Sequence, residues 1–119
     1  MPACTFYRAP KTAWGGLLAL LKPGVLRYTV HLERLAGLHV CRFHYIWATD
    51  EFLVEAQYQG FLFSIEMEWG GDLVLFAAER VPEEVFNHVC SHMKNYRTVW
   101  PGQVTRAQRR YVQIAKSAG

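Results

Sequence analysis

The sequence is poor in the features that most directly announce a function. Only three cysteines occur in 119 residues, Cys4, Cys41 and Cys90. An odd number at such wide spacing argues against a disulfide framework and for a reducing compartment. Long apolar runs are missing too. The stretch from Ala13 to Leu21 is too short to span a bilayer, and it leads into Lys22-Pro23-Gly24 with no small-residue cleavage site behind it. These absences predict no membrane association and a cytoplasmic protein. A Gly-rich phosphate loop is also absent, because Gly70-Gly71-Asp72 reads as a hairpin turn. No repeat, linker or low-complexity tract interrupts the chain. With no motif for any reaction class, an enzyme is the lesser expectation and no cofactor is implied.

What is present describes a globular chain with an uneven charge layout. An apolar fraction of 51% and an aromatic fraction of 14% are those of a packed protein, and the length suits a single α+β domain spanning 1–119. The net charge of +3 conceals three blocks. Residues 1–49 hold six basic residues against Glu33 alone, residues 50–84 hold nine acids against Arg80 alone, and residues 85–119 hold six basic residues and no acid. Blocks of this kind decide which surfaces attract one another and which repel.

Along the chain, residues 10–22 read as an N-terminal helix, capped by Thr12 and stopped by Pro23-Gly24. From Val25 to Glu33 the period changes to two, with Leu26, Tyr28, Val30 and Leu32 alternating against Arg27, Thr29, His31 and Glu33, which predicts a strand. A second strand is expected over Leu38–Trp47. The next two form a hairpin about Gln59-Gly60, whose two-residue turn sets Tyr58 opposite Phe61, Ala56 opposite Phe63, Val54 opposite Ile65 and Phe52 opposite Met67. One face of that hairpin is apolar, while the other carries Leu53, Glu55, Gln57, Leu62, Ser64, Glu66 and Glu68. A turn at Gly70-Gly71 then leads to a fifth strand over 73–78. There Val74, Phe76 and Ala78 are expected in the core, and Leu73, Leu75 and Ala77 on the glutamate face. Two C-terminal helices follow, one from Pro82 to about Tyr96 and one over about 103–116. The whole is a five-stranded antiparallel meander behind an N-terminal helix, with the two C-terminal helices packed on one sheet face.

Three clusters invite chemistry. His88 and His92 lie four apart on the flank of the first C-terminal helix, a spacing that can grip zinc. They are too few ligands for a structural site, and Cys90 between them falls in the apolar stripe, so no metal is expected. Neither Cys41 nor Cys90 is expected to act as a nucleophile. Arg106, Arg109, Arg110 and Lys116 on the last helix form a basic stripe with aromatic punctuation that would suit nucleic acid. The acidic middle block offers the leading alternative. Glu55, Glu66 and Glu68, with Asp50 and Asp72 at the turns, would present a carboxylate surface to a basic protein partner. Small inhibitors and toxin-neutralising immunity proteins use that kind of surface, here an analogy of charge and size alone. A third expectation is a ligand-binding or catalytic cup lined by Phe43, Tyr45, Trp47 and Trp69. Monomer and dimer are both left open.

Overall fold

A computed structural model describes residues 2–8, 24–46, 51–68 and 71–118, with side chains except at 45, 46, 51 and 115–118. Its elements run β1 (Ala3–Tyr7), α1 (Val25–Glu33), β2 (His39–Ile46), β3 (Glu51–Tyr58), β4 (Phe61–Met67), β5 (Leu73–Ala77), α2 (Glu83–Lys94) and α3 (Pro101–Ala118). The five strands form one antiparallel sheet in the order β1-β5-β4-β3-β2. Strands β2 to β5 are a meander, and β1 closes the far edge against β5. The α+β class is therefore as expected, but its parts are arranged differently.

The expected helix over 10–22 lies outside the described residues. An N-terminal helix ahead of the sheet is not borne out, because β1 comes first and the first described helix starts at Val25. Residues 25–33, expected as a strand, form that helix. Both periodicities are present in this segment. Val25, Tyr28, Thr29 and Leu32 stand at i, i+3, i+4 and i+7, the spacing of one helical face. Tyr28 through Leu32 are all buried, so the helix is wrapped on several sides. Packing on many sides outweighs the strand preference of Thr29 and Val30, a preference worth less than about 1 kcal/mol per residue. The Thr29 hydroxyl settles into the helix by donating to the Val25 carbonyl at 2.8 Å.

The β3–β4 hairpin forms in the expected register. Tyr58 pairs Phe61, Ala56 pairs Phe63 and Val54 pairs Ile65. Gln59 at φ 52° and Gly60 at φ 81° are both left-handed, as a type I′ turn requires. The β4–β5 register does not follow expectation. Met67 pairs Leu73, Ile65 pairs Leu75 and Phe63 pairs Ala77, so Leu73, Leu75 and Ala77 join the core while Val74 and Phe76 turn to the glutamate face. The Glu68 amide donates to the Asp72 carbonyl at 2.8 Å, which closes a loop one residue longer than a two-residue turn at Gly70-Gly71. One added residue flips every side chain of the following strand.

The core lies between the sheet and the three helices. Val54, Phe63, Ile65 and Leu75 on the sheet, and Val89 and Met93 on α2, are at most 1% exposed. Helix α3 begins with Pro101 in the first-turn position where a missing N–H costs nothing. It buries Ala107 and Tyr111, with Tyr111 stacked on Phe43 of β2 at 4.6 Å between ring centres. The aromatic cup expected around Phe43 is thus filled at that position. Trp47 and Trp69, and the side chain of Tyr45, lie outside the described residues.

Cys4 of β1 and Cys90 of α2 form a disulfide across 86 residues, with Cα atoms 6.2 Å apart. This corrects the expectation drawn from cysteine count and spacing, and the argument for a reducing compartment falls with it. The pair is brought together only by the docking of α2 on β1, which no sequence spacing records. Cys41 is free and exposed. No helix among the described residues is long and apolar enough to cross a membrane.

Candidate functional site

The sheet has one face free of α3. Pairing of Glu55 with Ser64, and of Glu66 with Val74, puts both glutamates on the side away from the helices. Glu68 continues that row, and both Glu66 and Glu68 are exposed. Leu62, 40% exposed, stands on the same face with Leu53, Phe76 and the buried Val74. The mixture of apolar and carboxylate side chains is retained, although Val74 and Phe76 take the places expected for Leu73 and Leu75.

Not all of the acidic set is equally available. Glu55 pairs with Arg42 of β2 at 3.4 Å, which partly neutralises the β2 side of the face. Asp72 is half-buried in the turn. Asp50 lies outside the described residues. The carboxylate surface is therefore centred on Glu66 and Glu68, toward the end of β4.

The basic stripe sits on the other side of the molecule. Ala107 and Tyr111 anchor α3 over β2 and α1, and this leaves Arg106 and Arg109 exposed. Arg110 is drawn to α1, where its guanidinium donates to Glu33 at 2.6 Å and lies 5.3 Å from the Tyr111 ring centre. Burial pushes the Tyr111 hydroxyl's pKa up, and the Glu33 carboxylate adds to that shift. The side chain of Lys116 lies outside the described residues. Helix α3 thus does not fold over the sheet's glutamates.

Between the C-terminal turns of α1 and α2 lies a feature that sequence reasoning missed. The rings of His31 and His92 stack face to face, 4.1 Å apart and inclined by 4°. Each donates from Nε2 to the other's backbone carbonyl, His31 to His92 at 2.6 Å and His92 to His31 at 2.5 Å. Each helix thereby caps a terminal carbonyl of the other. His31 Nδ1 accepts the Arg97 amide at 3.5 Å, so both of its ring nitrogens are engaged in a neutral tautomer. Burial lowers the His31 pKa, and the nearby His92, Arg34 and Arg97 push the same way.

The pair forms one wall of an open cleft of about 430 Å³, completed by Arg34, His88, Ser91 and Arg97 among others. The Arg34 guanidinium is fixed by the carbonyls of Arg97 at 3.0 Å and Thr98 at 2.9 Å. His88 and His92, which sequence placed on one helix edge, have separate neighbours: His88 lies over Tyr58 and His92 on His31. No group of three or more His, Cys, Asp or Glu side chains among the described residues could hold a metal ion. The pairing of His31 with His92 was hidden because His31 was read on a strand. Read as part of a helix, its neighbour Leu32 completes the i, i+3, i+4, i+7 face, and His31 becomes an inter-helix residue.

No protein-family model, no curated protein and no solved structure matches this chain.

Proposed function

We propose that this chain is a non-enzymatic protein-binding domain whose outward sheet face meets a basic partner protein. The observation that carries the reading is the placement of α3. Because Tyr111 and Ala107 pack it on the opposite side, Glu66 and Glu68 stay exposed beside Leu62 rather than being quenched by the chain's own arginines. Exposed carboxylates around an apolar patch suit a partner with a cationic rim, and their field would speed encounter. The mode is that of a small inhibitor or toxin-neutralising protein that offers carboxylates where a nuclease expects phosphates. Glu55, Asp50 and Asp72 would extend the surface. The disulfide favours an oxidising compartment over the cytoplasm expected from sequence, and the binding reading holds in either.

A second reading rests on Arg106 and Arg109, which face solvent on the far side from the glutamates. This separation removes the self-repulsion that an acidic block would otherwise impose on a polyanion, and α3 could then lie along nucleic acid. The two readings are separated by charge reversal. Changing Glu66 and Glu68 to lysine should weaken capture of a basic partner under the first, whereas changing Arg106 and Arg109 to glutamate should do so for a nucleic acid under the second.

A further inference from the structure

We propose that the cleft between the C-terminal turns of α1 and α2 is a binding site for a phosphate group. The site lies on the helical side and is independent of the sheet-face reading.

The charge of the cleft comes first. Its lining includes Arg34, Arg97, His31, His88 and His92, with no carboxylate among the described residues. Tyr96 packs against the His31 ring, and Arg34 reaches Gln103 of α3. A concave site that holds two guanidinium groups, with no carboxylate in its lining among the described residues, attracts an anion from solution.

Donor availability comes second. The Arg97 backbone is committed to His31, but its exposed guanidinium makes no ion pair or hydrogen bond among the described residues. Ser91 adds a hydroxyl and His88 an exposed ring. Arg34 is pinned by the Arg97 and Thr98 carbonyls and by Gln103 Oε1 at 3.3 Å, so its charge is held in place without further ordering. Planar guanidinium and imidazole donors around a small cleft are suited to a tetrahedral oxyanion. A space of about 430 Å³ also admits the organic group that a phosphate ester would carry.

The stacked pair shapes the wall of the cleft: His31 has both ring nitrogens engaged, and His92 commits its Nε2 to the His31 carbonyl.

The test is calorimetric titration of the full chain with inorganic pyrophosphate in low salt, repeated at higher salt. The expected result is saturable binding that weakens as salt rises. Arg97→Ala, at an exposed side chain, should weaken it about tenfold, and Arg109→Ala on α3 should leave it unchanged. A single-stranded oligonucleotide distinguishes the source of the phosphate. Competition with pyrophosphate through Arg97 assigns the cleft to nucleic-acid phosphates as well, and failure to compete assigns it to small phosphates. Absence of pyrophosphate binding at millimolar concentration overturns the proposal, as does binding lost on Arg109→Ala but not on Arg97→Ala.

Discussion

The outward sheet face and the helical side of this protein handle charge in opposite ways. On the sheet, Glu66 and Glu68 stand exposed on a pleated surface, and the one ion pair described there, Glu55 with Arg42, is at the surface. On the helical side, groups are tied to the backbone: His31 is 1% exposed with both ring nitrogens engaged, and the exposed Arg34 donates to backbone carbonyls. The first arrangement produces a field that salt screens within about 8–10 Å, so it acts mainly on encounter. The second couples charge to packing, so it acts on stability and responds to pH. A single net charge of +3 describes neither.

The sharpest way to break the comparison is to release the tie between the two sides. The Cys4–Cys90 bond joins an edge strand of the sheet to α2, which carries His92. In the loop-entropy account, removing a link across 86 residues by Cys4→Ser with Cys90→Ser should lower stability by about 4.5 kcal/mol. Urea unfolding measures it, and a loss below about 1 kcal/mol would mean that β1 and α2 stay docked without the bond. Phe63→Ala removes a 1% exposed ring from the core between the two sides and should cost about 4 kcal/mol. A loss under about 0.5 kcal/mol, the scale of a surface change, would be incompatible with the hairpin register.

A smaller effect distinguishes the two sides by pH. His31 has a folded pKa below that of the unfolded chain, chiefly because it is buried. The unfolded state therefore binds the proton first. Its contribution to stability is fully present above the unfolded value near 6.5, falls as pH drops below that, and levels off once folded His31 itself protonates. His31→Gln should flatten this part of the stability–pH curve, whereas Glu66→Gln should leave it in place. The smallest effect is expected on the sheet. Glu66→Lys with Glu68→Lys should change stability by less than about 0.5 kcal/mol, because neither side chain is buried. A larger change would mean that these carboxylates serve the fold.

How much of this was legible in sequence depended on how local the deciding interaction is. The β3–β4 hairpin was readable because Gln59-Gly60 sets its own turn, and alternation on both strands agrees with it. Helix α3 was readable in place, expected over about 103–116 and found over Pro101–Ala118. Residues 25–33 carry both a two-residue and a helical period, and only burial on several sides selects the helix. Strand β1 is five residues long and takes its shape from pairing with β5, some seventy positions away, so its own pattern was too short to signal it. The inversion of β5 came from one residue in a glycine-rich loop. The acidic face was legible because it belongs to the hairpin. The histidine cleft was not, since His31 and His92 are 61 residues apart and meet only when two helices dock.

The central claim, that the sheet face rather than α3 meets the partner, is tested most directly by association kinetics. A basic protein that co-purifies with the chain from its native host would be titrated at several salt concentrations against three forms of the chain. These are the parent, Glu66→Lys with Glu68→Lys, and Arg106→Glu with Arg109→Glu. The account predicts an on-rate that falls steeply with salt, that drops about tenfold further on glutamate reversal, and that is not slowed by arginine reversal. An on-rate indifferent to Glu66 and Glu68 but lost with Arg106 and Arg109 would contradict it and move the interface to α3.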